Sequence, residues 1–191
     1  MRSRNVIAFL FAITLFGCAN EPVALNYYLL HSPDFKAQHA AKSVRGRIHL
    51  QQLKLPDYLK QRSLAMQTGP TNVFFSPQHI WAEPLSSGLV QALTEILWRE
   101  SQVLAVPLDV YPNDNDILNI SIQIDDLIAT YQGEVILKGQ YWIYPHEKDP
   151  EVRIFDFRHP LEEDGFEHAV EKMRLLIGKL SRDIADDVIN N

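Results

Sequence analysis

The clearest pattern in the chain is an alternation. Leu118, Ile120, Ile122 and Ile124 are separated by Asn119, Ser121 and Gln123, the period-two order of a strand buried on one face only. A Gln132-Gly133 turn follows. Val135, Leu137, Gly139, Tyr141 and Ile143 then repeat the alternation against Lys138 and Gln140, and after Asp149-Pro150 the stretch 152–157 reads as one more strand. Asp125-Asp126 is read as the end of the first of these strands.

Upstream, Asn26-Tyr27-Tyr28-Leu29-Leu30 predicts a first strand and residues 47–55 a second. In the second, Ile48 and Leu50 share one face while Leu53 and Leu55 fall on the other, so Gln51-Gln52 marks a bulge that shifts the alternation by one residue. Pro56-Asp57 ends that strand, and Tyr58-Leu59 follows in a turn. Segments 63–67 and 72–76 flank Thr68-Gly69-Pro70 as a hairpin. A short strand is expected over 102–108, before the turn residues 112–116.

Two stretches change to helical spacing. Leu85, Leu89, Val90, Leu93, Ile96, Leu97 and Trp98 trace one face over 84–99, with Pro84 in the first turn. A second stripe runs from Phe166 through Val170, Met173, Ile177, Leu180 and Ile184 to Val188, inside a helix predicted over 165–189. About seven strands and two amphipathic helices predict a single α+β domain: a mixed or mostly antiparallel sheet with two main helices packed on one face.

The first residues do not belong to that fold. Arg2 and Arg4 precede an apolar run over 6–16, which is shorter than the roughly 20 residues a membrane span needs. Leu15-Phe16-Gly17-Cys18 resembles the lipobox of bacterial lipoproteins, with Phe16 bulkier than is usual at its position. The resemblance implies a signal peptide over 1–17, lipidation of Cys18, and a tether over 18–26 ahead of a domain over 27–191. Each buried methylene is worth about 0.8 kcal/mol, so two or three acyl chains hold a protein permanently where one does not. Cys18 is the single cysteine, which leaves no disulfide to support the fold. Ala19 rather than Asp follows it, which by the sorting pattern of such lipoproteins implies the periplasmic face of the outer membrane.

Charge narrows the partners. Loss of Arg2 and Arg4 takes the net charge from −6 to −8. An acidic body argues against nucleic acid, whose binding rests on clustered Lys and Arg, and against adsorption to anionic headgroups.

Little points to catalysis. The seven histidines form no closely spaced ligand pair, so neither a metal nor a cofactor is expected. Asp114-Asn115-Asp116 lacks the glycine and distal glutamate of a calcium loop. No nucleophile elbow or phosphate-binding glycine loop occurs, and no catalytic residue is assigned. Tyr58 and Trp81 are the candidate partner-contact residues, since aromatics are enriched at binding hot spots. For Trp81, packing beneath the first helix is the favoured reading.

Pro56-Asp57-Tyr58-Leu59, Trp81-Ala82-Glu83-Pro84-Leu85, Tyr131-Gln132-Gly133-Glu134-Val135-Ile136 and Asp164-Gly165-Phe166 occur in that order behind the lipobox. Together they resemble the PqiC family of ABC-type transport auxiliary lipoproteins, although Lys60 stands where relatives often have Asp. The resemblance implies a partner, a PqiB-like periplasmic MCE-domain protein forming a lipid conduit. It also implies a non-enzymatic docking role at the outer membrane, contact with outer-membrane lipids through the acylated N-terminus, and, by ring symmetry, a homo-oligomeric ring. Two rivals are an activator of a cell-wall synthase and a carrier with its own lipid cavity. The first would use a longer tether and the second a large apolar lining.

Overall fold

A computed structural model describes residues 24–31, 43–107, 116–146 and 149–190. The signal segment, Cys18, most of the tether and the turn at 112–115 lie outside the described residues.

Among the described residues, eight strands form one mixed sheet, with two helices packed on it. The strands are β1 Asn26–Tyr28, β2 Gly46–Lys54, β3 Ser63–Gln67, β4 Val73–Trp81, β5 Val103–Ala105, β6 Ile117–Ala129, β7 Glu134–Tyr144 and β8 Glu151–Pro160. The helices are α1 Leu85–Ser101 and α2 Phe166–Asn190, and a 3-10 turn spans Asp57–Leu59. The α+β architecture read from the sequence is the one observed.

The long β6 organises the sheet. β7 runs antiparallel along one edge of β6, and β8 runs antiparallel beyond β7. The other edge is shared. β2 pairs in parallel with the first half of β6, then the chain makes its 3-10 turn, and β3 joins at the far end, where Met66 is level with Ala129. β5 extends the sheet beyond β2, while β4 and β1 extend it beyond β3. The Gln51-Gln52 bulge is present as a register shift between Leu50 and Gln52.

The core lies between the sheet and the helices. Leu89, Leu93 and Leu97 of α1 and Ile177, Leu180 and Ile184 of α2 meet Ile120, Ile122, Ile124, Leu137 and Ile143 of the sheet in one buried cluster. α2 presents its apolar stripe as the spacing requires. α1 ends on Gln102 in the left-handed conformation, φ 57°, whose N–H reaches the carbonyls of Leu97 and Trp98.

Three elements differ from expectation. β6 does not stop at Asp125-Asp126. It continues through a bulge between Ile124 and Asp126 as far as Ala129. β4 passes Ser76 and reaches Trp81, absorbing Pro77 where the β3–β4 register breaks between Ser63 and Ala65. There the Ser76 hydroxyl accepts hydrogen bonds from the N–H groups of Gln78 and His79, at 3.2 and 3.0 Å. Pro84 caps α1 rather than entering it.

A candidate partner interface on the open face of the sheet

The helices cover one face of β6, β7 and β8, and the other is open except where Tyr58 and Phe75 pack on Ile128 and Ile136. Along these strands inward residues such as Leu137, Tyr141 and Phe155 alternate with outward ones such as Lys138, Gln140, Asp156 and Arg158. The open face carries a chain of ion pairs. Arg158 binds Glu134 at 2.6 Å and Asp156 at 3.1 Å, and Lys138 approaches Asp156 at 3.6 Å. Each of these is solvent-exposed, so their worth lies in patterning the surface rather than in stability.

The β6 bulge builds the centre of this face. The extra residue lets Asp125 turn out to solvent and returns Asp126 to the ladder opposite Lys138. Leu127 then points inward and Ile128 outward. Ile128 joins Ala65 and Ile136 in a small second apolar cluster, against which Phe75 and Tyr58 pack. Tyr58, carried on the 3-10 turn between β2 and β3, donates its hydroxyl proton to Asp126 Oδ1 at 3.0 Å. Burial raises the Tyr58 pKa above its ordinary value, and the neighbouring Asp126 carboxylate, which also accepts its hydrogen bond, raises it further. Tyr58 is therefore a fixed neutral donor.

Tyr58, Asp126, Ile136, Lys138, Tyr131 and Arg158 border a surface cleft of about 390 Å³. Its lining joins an apolar floor of Ile128 and Ile136 to two tyrosines, two acids and two bases. The ends of the face differ. Toward the far end of β8, Ile154 is 81 % exposed and Val152 lies opposite Trp142.

The two predicted contact aromatics part company here. Tyr58 reaches the open face. Trp81 is 5 % exposed and sits in the main core with Leu85 and Leu89, so it offers a partner no surface. Its packing role is the one found, and its candidacy as a contact residue is corrected by that burial. The sequence reading missed Asp126, Lys138 and Arg158. Leu127-Ile128-Ala129 continues as an apolar run past the two aspartates, but without the alternation that marks a strand.

Among the described residues, His79 and His49 make packing and polar contacts. His79 stacks on Phe166 with ring centroids 4.1 Å apart and shares a hydrogen bond with the Tyr28 hydroxyl at 2.8 Å. His49 lies 3.1 Å from the Val106 carbonyl. Among the described residues, no three His, Cys, Asp or Glu side chains come together as a metal-holding group.

The sequence model of a family described as "ABC-type transport auxiliary lipoprotein component" matches residues 28–185. The intermembrane transport lipoprotein PqiC of Escherichia coli (strain K12) is 25 % identical over 174 residues, covering 91 % of this chain and 90 % of that protein, and PqiC of Shigella flexneri matches equally. A crystal structure of an uncharacterized protein superimposes with a TM-score of 0.71 at 20 % identity, over 86 % of this chain and 99 % of the other. Protein XCC0632 from Xanthomonas campestris does so with a TM-score of 0.58 at 9 % identity, over 84 % and 90 %. These two structures share the fold.

Proposed function

This chain belongs to the ABC-type transport auxiliary lipoprotein family, and from that premise we propose that it is the outer-membrane lipoprotein of an MCE-type intermembrane lipid transport system. In this reading Cys18 carries the acyl anchor, residues 18–26 form a tether, and the folded domain docks the end of a periplasmic lipid conduit. The observation that carries it is the conjunction of a lipobox with a family match spanning almost the whole domain. The relatives named for intermembrane transport cover the same length.

The structure supports a dock over a carrier. Leu89, Ile120, Leu137, Ile143, Ile177 and Leu180 are 0 % exposed and pack as one cluster, so side chains occupy the space between sheet and helices where a carrier would hold its lipid. The clefts bordered by described residues lie at the surface, that of Tyr58 among them. Docking through the open sheet face needs no catalytic group: an anchored domain positions the conduit by geometry. A ring of such domains on a ring-shaped conduit would bind with high avidity.

In-cell crosslinking from a photoreactive residue placed at Lys138 tests this. The expected product joins the chain to a periplasmic MCE protein, and it is lost in a Cys18→Ser variant that no longer fractionates with membranes. Crosslinks to a cell-wall synthase instead, or undiminished membrane fractionation of Cys18→Ser, would overturn the proposal.

A further inference from the structure

Residues 63–82 contain no Asp, Glu, Lys or Arg, in a chain of which 22 % is charged. That stretch is the β3–β4 hairpin with its exit. At its tip Val73 and Phe74 are 42 % and 47 % exposed. Successive strand residues point to opposite faces, so the tip presents apolar surface on both sides. Tyr131, 49 % exposed in the β6–β7 turn, stands at the same end, because β3 and β6 run in parallel toward it with Met66 level with Ala129.

β1 begins on that side. It runs parallel to β4 with Asn26 beside His79, so its first residue faces the end of the sheet where β4 starts at Val73. Asn26 lies eight residue steps from Cys18, a reach of at most about 26–29 Å. His79 lies six steps from Val73, about 20 Å along a strand. An acyl anchor on Cys18 therefore holds a bilayer surface within reach of the hairpin tip.

We infer that the β3–β4 tip, Val73 and Phe74, rests in the interfacial layer of the bilayer that holds the anchor, and thereby fixes the domain's orientation. The inference rests on the reading of Cys18 as the anchor. A neutral, partly aromatic tip suits the boundary between headgroups and acyl chains. Charge attraction is not the driving force: Glu134 and Arg158 near this end bind each other, and Glu162 in the loop after β8 is held by Lys172 at 2.7 Å and His168 at 3.1 Å. Contact is accordingly independent of anionic lipid.

The test uses full-length acylated protein in vesicles of phosphatidylethanolamine and phosphatidylcholine, with and without lipids brominated along their acyl chains. Phe74→Trp and Ile154→Trp are compared over the shared background of Trp81, Trp98 and Trp142. Ile154 is exposed but lies six residues from the end of β8 that neighbours the tip, about 20 Å away. The expected result is at least about twofold quenching of the added emission from Phe74→Trp, as insertion to acyl-chain depth requires, with none from Ile154→Trp. Vesicle-bound protein with equal quenching at the two positions, or none at residue 74, overturns the inference and leaves the anchor reading intact. A change in the emission of residue 74 on addition of a periplasmic partner, where brominated lipid alone had not quenched it, would show a protein occupant and also overturn it. Protein that fails to float with the vesicles overturns the anchor reading and the inference together.

Discussion

The two faces of β6, β7 and β8 are made from alternate residues of the same strands, yet they do different work. The inner face, with Ile120, Leu137, Ile143 and Phe155, is closed by two helices and owes its stability to apolar area removed from water. The outer face, with Asp126, Lys138, Asp156 and Arg158, keeps its charges in solvent and contributes pattern instead. Burial tolerates many apolar residues, whereas recognition depends on which polar group stands where. The bulge after Ile124 joins the two: it lets the inner row stay apolar while placing Asp126 against Tyr58.

The sharpest way to break this arrangement is at Gly139, opposite the bulge. A Cβ there would run into the Gln123 carbonyl oxygen and lie 2.9 Å from the Phe155 ring, so the strand pair could not close. Gly139→Ala is expected to cost about 3 kcal/mol or more, read as a fall in the urea midpoint, and to disturb both faces at once. A near-neutral Gly139→Ala would show that the bulge is not the seam between them.

Tyr58→Phe should separate the faces. It keeps the ring against Ile128 and Ile136 and removes the donor to Asp126. A loss of about 1–3 kcal/mol is expected for a partly buried bond to a carboxylate. A larger proportional loss of the Lys138 crosslink than of stability would assign the residue to docking; equal losses would make it structural. The same residue carries a pH signature. Its folded pKa is raised, so its contribution is complete below the ordinary tyrosine value near 10 and fades as pH rises past it.

The smallest effect belongs to an exposed charge. Hydrogen bonding by Lys172, then by backbone and His168, lowers the Glu162 pKa to about 2. A lowered carboxyl pKa contributes stability above about 4.3, the unfolded value, and loses it as pH falls toward 2. Thermal melts of Glu162→Gln should thus run slightly below the parent at pH 6 and merge with it at pH 2. A difference that persisted at pH 2 would mean that Glu162 acts through packing.

The architecture was legible wherever burial is one-sided. Leu118 to Ile124 alternate because one face meets helices and the other water. The first bulge was legible for the same reason, since Leu53 and Leu55 visibly change face after Gln51-Gln52. The second was not. After Asp125 both faces are covered, the outer one by Ala65, Phe75 and Tyr58, so Leu127-Ile128-Ala129 shows no alternation and the period-two pattern ends. Asp126 was lost with it. Trp81 was open to two readings, packing being the favoured one, because an aromatic before a helix can serve as anchor or contact; its 5 % exposure separates the two. Lys138 and Arg158 gave no local signal, because what makes them a pair of cleft cations is cross-strand register.

Arg174 has a mechanical consequence. β1 is three residues long and, among the described strands, pairs with β4, yet any tension on the N-terminal segment passes through it. The guanidinium of Arg174, on α2, grips the carbonyls of Leu29, Leu30 and His31 at 2.8, 3.1 and 3.2 Å, immediately past the end of that strand. A pull that peeled β1 from β4 would meet this clasp next, and the load would pass into the longest helix of the domain. Arg174 acts as a strain relief, like the grip where a cable enters its housing.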